Sequence, residues 1–277
     1  MRHFALINNK GQRYDLNEMD FFLYSPSGMG FSRATSYRQI GTTWSMYNDC
    51  YAQEARQGYI RFKEPHSYQK YFDFLVFAQQ TPLQYEYTPE NKTFYMDCVI
   101  GVIDKTEISG EGLKCQIQLT PLSLFYQNYF AESADGEAGG GKTYNYSYPY
   151  IYSSAAQGTV AVESDAADDS PCKVAIFGPL VNPVWYHYVN NKQVEQGRMV
   201  GEVVAEHKLV IDTTTMPYSI TEQDMLGNVI YNRYEDCDFS TERFFFLKFG
   251  HNRISVGQSG VNIPHLVVEG RLQYASV

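Results

Sequence analysis

The stretch Pro171–Tyr188, PCKVAIFGPLVNPVWYHY, decides the fold class. The run Lys173–Phe177 is cut by Gly178-Pro179. The apolar pair Leu180-Val181 follows, Asn182-Pro183 cuts again, and Val184–Tyr188 resumes. Proline lacks the N–H that a ladder needs and its φ is fixed, so it stays out of the middle of a central strand. Apolar runs of about five residues between such breaks are strands of a β-sandwich, not turns of a helix.

The same cadence continues on both sides. Ile151–Tyr152 and Gly158–Val162 precede the stretch. Val184–Val189, Met199–Val204, Lys208–Asp212, Asn228–Tyr231, Arg243–Lys248, Arg253–Val256 and Leu266–Tyr274 complete the series. Short strands at such regular spacing, with no convincing helix among them, predict a sandwich or jelly roll. Upstream lies Ala131–Lys142, AESADGEAGGGK, which is small, polar and glycine-rich without periodicity. It reads as a linker. The chain is therefore expected to divide into residues 1–130, a linker at 131–142, and residues 143–277.

The first part mixes strands with one helix. Phe4–Asn8 and Arg13–Leu16 flank Asn9-Lys10-Gly11, a hairpin signal. Tyr59–Lys63, Leu83–Tyr87, Thr93–Lys105 and Gly112–Thr120 read as strands. Between them, His66–Gln80 is predicted helical. Tyr68, Tyr71, Phe72, Leu75 and Val76 fall on one stripe at helical spacing, which is expected to pack on the sheet. Pro65 and Ser67 open this helix and Thr81-Pro82 closes it.

Composition narrows the function. The chain has 277 residues, 44% hydrophobic and 16% aromatic, enough to bury real cores. The aromatic excess is mostly tyrosine, which favours strands and interfaces because it joins a large apolar face to a polar tip. The formal net charge of −9, with lysines and arginines scattered singly, argues against nucleic acid or an anionic membrane as partner. Polar residues arrive by Asn8, so no signal peptide is expected, and no apolar run is long enough for a helical membrane span. Cys50, Cys98, Cys115, Cys172 and Cys237 are odd in number, widely spaced and without CxxC, as expected for reduced thiols. The sequons at Asn91 and Asn145 carry no weight without a secretory signal.

Catalytic patterns fail on context. Gly136–Thr143, GEAGGGKT, spells a phosphate loop, but no strand precedes it and YNYSYPYIY follows instead of a helix whose amides could meet phosphates. The acidic run Glu163, Asp165, Asp168 and Asp169 lacks the spacing of a calcium loop. So does Glu235, Asp236 and Asp238. The six histidines show no zinc spacing and no GxSxG occurs. No catalytic residue, metal or cofactor is expected.

Several blocks carry a family resemblance. They are INNKGQRYDLN from Ile7, PSGMGF at Pro26–Phe31, SYQKYFDFLVF at Ser67–Phe77, LQYEY at Leu83–Tyr87, MDCVIGVIDKTEI ending at Ile108, and LKCQIQLTPLSLFY at Leu113–Tyr126. In the second part they are IFGPLVNPVW at Ile176–Trp185, GEVVAEHKLVIDT from Gly201, and FLKFGHNRISV at Phe246–Val256. In this order and spacing the chain resembles the distal tail proteins of siphophages of Gram-positive bacteria and their prophages. The resemblance implies an N-terminal β-sandwich with one α-helix and a C-terminal galectin-like jelly-roll β-sandwich. It implies a homo-hexameric ring made by the first domain, in the virion at the tail tip. Its implied partners are the tail tube protein, the tail tip hub or tail-associated protein, the tape measure protein and receptor-binding proteins. A ring needs a heterologous interface. Pro26, Met29, Phe31, Tyr37, Trp44 and Tyr47 are the expected interface residues, because their segments are rich in Gly, Ser, Thr and aromatics without core periodicity. The competing reading is a carbohydrate-binding module or adhesin for host glycans, with Tyr144–Tyr152 as the aromatic cluster.

Overall fold

The computed structural model describes residues 2–133 and 158–277, apart from 111 and 261. The phosphate-loop spelling at Gly136–Thr143, the tyrosines of 144–152, the strand expected at Ile151–Tyr152 and the expected linker beyond Ser133 lie outside the described residues. Among the described residues the chain is mainly β with one α-helix, as expected. It divides into two units, Met1–Gln127 with Tyr274–Val277, and Asn128–Gln273.

The first unit is built from β1 (His3–Ile7), β2 (Arg13–Asp15), β3 (Phe21–Ser27), β4 (Arg33–Ile40), β5 (Thr43–Tyr51) and β6 (Arg56–Lys63). Helix α1 (Ser67–Ala78), β7 (Leu83–Thr88), β8 (Phe94–Lys105), β9 (Gly112–Pro121) and β10 (Phe125–Glu132) follow. Eight of these strands belong to one antiparallel sheet, seven in the order β2-β1-β7-β8-β9-β6-β3 and β10 pairing β8 through Tyr126 opposite Tyr95. Alternation sets which face is buried. Ile60 and Phe62 of β6 stand opposite Cys115 and Leu113 of β9. They share one core with Phe4 and Leu6 of β1 and with Leu83 and Tyr85 of β7. The expected strands are all present, and the hairpin at Asn9-Lys10-Gly11 pairs Ile7 with Arg13. Tyr274 and Val277 pack on the same core.

The helix corrects the sequence reading. It exists, but it presents a different face to the core. Tyr71, Phe74, Phe77 and Ala78 are buried, and of the expected stripe only Tyr71 is among them. Tyr68, Phe72 and Val76 are exposed by 38%, 56% and 65%, and Leu75 is half-buried. SYQKYFDFLVFA is apolar on two sides, so periodicity alone allows two orientations. Aromatic packing selects one: Phe74 meets Tyr14, Phe21 and Phe62 at ring centroids of 5.4, 5.5 and 5.9 Å. The start differs too. His66 occupies the N-cap with φ of 70° and no side-chain cap, while the Ser67 hydroxyl donates to Glu64 Oε1 at 2.6 Å.

The second unit contains β11 (Gly158–Ser164), β12 (Ser170–Phe177), β13 (Leu180–Val181), β14 (Val184–Val189), β15 (Lys192–Arg198) and β16 (Glu202–Val203). It continues with β17 (His207–Asp212), β18 (Ser219–Asp224), β19 (Val229–Asn232), β20 (Phe246–Leu247), β21 (Gly250–Gly257) and β22 (Leu266–Tyr274). One sheet runs β19-β18-β17-β12-β22 and the other β11-β21-β14-β15, each antiparallel to its neighbours. The opening stretch thus supplies β12, β13 and β14, broken at Gly178-Pro179 and at Asn182-Pro183. Two strands escape the sequence reading. KQVEQGR (β15) and SITEQD (β18) are too polar to stand out, because each buries little beyond a glutamate, a glycine or an isoleucine. The expected strands at Met199–Val204 and Arg243–Lys248 shrink to Glu202–Val203 and Phe246–Leu247. Trp185 is fully buried, its indole N–H donating to the Arg243 carbonyl at 3.2 Å.

Several buried polar side chains of this unit are paired. His187 lies between Glu195 Oε2 at 2.8 Å and Asn252 Oδ1 at 2.9 Å. Glu222, almost fully buried, receives Arg233 Nε at 2.8 Å and hydrogen-bonds His207 Nδ1 at 2.5 Å. Burial raises the Glu222 pKa, but the bonds from His207 and Arg233 outweigh it and the net shift is downward. A carboxylate whose folded pKa is depressed stabilises the fold fully above its unfolded value, and this is lost as pH falls through the folded one. Glu222→Gln should therefore destabilise the protein most near neutrality. The difference from wild type should shrink in acid below the ordinary carboxylate range, as read by urea midpoints across pH.

Candidate assembly interface

Among the described residues, strands β4 and β5 pair only with each other. The ladder runs from Arg33 opposite Tyr51 to Ile40 opposite Thr43, with a bulge between Ser36 and Tyr37. Gly41 takes φ of 63° at the turn. Nearly every residue of both strands is exposed. Register places Tyr37 opposite Met46 and Gln39 opposite Trp44, so these four side chains share one face. Trp44 and Tyr47 are 68% and 71% exposed. Ile40 projects from the opposite face near the tip. The base is tied down: Arg33 pairs with Asp49 and lies 5.1 Å over the Tyr51 ring, and Phe31 meets the same ring at 6.0 Å.

A free monomer does not ordinarily display this much aromatic surface on a bare two-stranded ribbon. Isolated hairpins are marginal in water, and large exposed apolar patches mark interaction sites. The six residues singled out from sequence divide into two groups. Tyr37, Trp44 and Tyr47 stand exposed on the hairpin, with Phe31 exposed at its base. Pro26 and Met29 are half-buried instead. They line a small cavity with Leu23, Arg56, Tyr85, Ile117 and Leu119, and Met29 packs on the core. Gly28, with φ of 78°, makes this turn, since a Cβ there would meet the Ala55 carbonyl oxygen at 2.8 Å. The guanidinium of Arg56 donates to the Gly28 carbonyl and lies 5.7 Å from the Phe125 ring centroid, and burial lowers its pKa. Met46 and Ile40 are exposed apolar residues that the sequence reading did not select. Their signal was available in retrospect: two runs of β-formers around Gly41.

The thiols have distinct surroundings. Cys50 is exposed on β5, on the hairpin face opposite Tyr37, and the other four are buried and free. Burial pushes Cys98 and Cys172 up to about 12 and Cys115 and Cys237 up to about 11. Thiolate is the reactive form. Iodoacetamide at pH 8 should therefore modify Cys50 alone in the folded protein, read as a single adduct by intact mass. Early modification of Cys172 would contradict the burial described.

Among the described residues, no three His, Cys, Asp or Glu side chains converge as a metal site. The acidic run near 163 has protein partners instead: Glu163 pairs with His251, and Asp169 lies 3.5 Å from Lys248 Nζ. No described helix is long and apolar enough to cross a membrane.

Comparison with known families reaches the unit that carries the hairpin. Residues 3–122 match the family model of the distal tail protein, N-terminal domain. The fold is also similar over the whole chain to solved tail structures. One is a chain of the phage P2 baseplate in its activated conformation with calcium, with a TM-score of 0.54 at 15% identity, covering 100% of both chains. Another is the Dit protein of phage SPP1, described as a paradigm of the hub adsorption apparatus in phages infecting Gram-positive bacteria. Its TM-score is 0.60 at 11% identity, covering 97% of this chain and 98% of that one. At such identities the likeness is one of fold. No curated protein matches the chain.

Proposed function

We propose that this chain is a distal tail protein, a structural component of a phage tail tip without chemistry of its own. The first unit closes a homo-hexameric ring that joins the tail tube to the tip hub, with the tape measure protein as a further neighbour. The second unit, a galectin-like sandwich on this reading, carries receptor-binding proteins. The protein would reside in the virion, after assembly in the cytoplasm of a Gram-positive host.

One observation carries the proposal. An aromatic hairpin whose two strands form a sheet of their own among the described residues stands within the residues that match the tail family. A ring requires one patch to meet a different patch on the next copy, and a projecting ribbon supplies one such patch. The count of six comes from the family resemblance. Negative-stain electron microscopy of the purified full chain tests the reading. Rings with a central opening and six-fold averages are expected. A field of single particles of monomer size at micromolar concentration would refute it.

A further inference from the structure

We infer that the outer face of strands β14, β15 and β21 is a binding site for a neutral saccharide. The site lies within the second unit and stands whether or not the first unit closes a ring.

Alternation gives each of these strands one buried face and one solvent face. Tyr186 and Tyr188 stand on the solvent side of β14. Gln196 and Gln193 of β15 flank them on one side, and Ser255 and Arg253 of β21 on the other. The two rings are half-buried, with centroids 6.4 Å apart. The Arg253 guanidinium lies 4.3 Å from the Tyr188 ring centroid, and its buried Nε has no hydrogen-bond partner among the described residues. Beside the tyrosines, at the edge made by β15, runs a groove of about 220 Å³. It is lined by Gln193, Val194, Glu195, Gln196, Thr241 and Glu242, so the two glutamines belong to both groove and face.

The chemistry of this surface selects its ligand. A sugar ring joins apolar C–H faces to hydroxyls that both donate and accept. Tyrosine offers a large apolar face with a polar tip. The Arg253 guanidinium only donates, the Glu242 carboxylate only accepts, and the glutamine amides do both. Charge is balanced. Arg253 and Glu242 are opposite in sign, and the acid on the neighbouring strand β11, Glu163, pairs with His251. A charged ligand would meet one of the two unpaired groups with like sign. A protein partner would need an apolar centre. Val194 is the one exposed large aliphatic side chain on these three strands.

The face is held rigid from behind. His187, between the two tyrosines in sequence, turns inward and bridges Glu195 Oε2 at 2.8 Å and Asn252 Oδ1 at 2.9 Å. The Asn252 amide is itself fixed. Its Nδ2 donates to the Lys248 and Gly250 carbonyls at 2.7 and 2.9 Å, and its Oδ1 accepts the Lys248 N–H at 2.9 Å. Glu195 precedes Gln196 and Asn252 precedes Arg253, so each member of the network adjoins a face residue. Such a network adds little stability over an apolar core of the same shape, but it ties the three strands in one register. A β-bulge between His187 and Tyr188 sets where the second ring points.

A printed array of neutral and acidic glycans, probed with the full chain, tests the site. Neutral glycans should be retained. The titrated affinity for the best of them should fall by about 10-fold or more in Arg253→Ala and Tyr188→Ala, as for a lost charged hydrogen bond or stacking contact. Gln193→Ala removes one exposed amide, which the fold does not need, and should cost about 3-fold. It decides the matter if either of the other variants loses its circular dichroism spectrum. Undiminished affinity in the folded variants, retention of acidic glycans alone, or no retention of the wild-type chain anywhere on the array overturns the inference. None of these outcomes bears on the ring, whose native mass is read on the same sample.

Discussion

Phe74→Ala lowers folding stability by about 3–5 kcal/mol, the range for deleting a buried phenylalanine. Phe74 is 1% exposed and, with Tyr71 and Phe77, joins α1 to the rest of the core, its ring meeting Tyr14, Phe21 and Phe62. Its removal leaves a cavity walled by rings that cannot collapse without breaking their edge and tilted contacts. Phe72→Ala, one turn-face away and exposed, should change monomer stability by no more than about 0.5 kcal/mol. The contrast separates the observed helix orientation from the one expected from periodicity, in which Phe72 lay inward. Chemical denaturation of both variants, under conditions where the chain is monomeric, reads it directly. Equal losses would mean that α1 sits otherwise than described.

Trp44→Ala should cost about 2 kcal/mol or more at each contact between copies, as central tryptophans do in interfaces. At about 1.4 kcal/mol per decade, that is a loss of roughly 30-fold in the pairwise constant, repeated at every junction of a closed ring. Tyr37→Ala, on the same hairpin face, should act in the same direction. Neither change should alter the fold of the subunit, because both side chains are exposed and touch no core. The expected result is a folded chain that sediments as a monomer at concentrations where wild type is assembled. A variant that unfolds instead would show that the hairpin stabilises its own subunit.

The legibility of the fold varied with what each element buries. The stretch around Trp185 announced its strands because one face of each is buried and its breaks fall at prolines, so pattern and punctuation agree. The strands β15 and β18 were silent because their buried positions are Glu195, Gly197, Ile220 and Glu222, which period-two hydrophobicity cannot detect. The hairpin was visible as an anomaly, a β-prone, aromatic segment without core alternation. Its residues could be named from that absence, although not paired, because strands exposed on both faces carry no inside–outside signal. Pro26 and Met29 were grouped with it by proximity in sequence, whereas the turn at Gly28 folds them back toward the core. The helix shows the reverse failure. Its period was clear, yet a segment apolar on two sides has two readable faces, and the aromatic partners that choose between them come from Tyr14, Phe21 and Phe62, far away in sequence.

The measurement that bears most directly on the central claim is the solution mass of the full chain by multi-angle light scattering, taken across a dilution series. The account predicts a species six times the 31.7 kDa chain mass, falling to the chain mass in the Trp44→Ala variant. A wild-type chain that remains at 31.7 kDa at the highest concentration reached, with its hairpin exposed and unpaired, would contradict it.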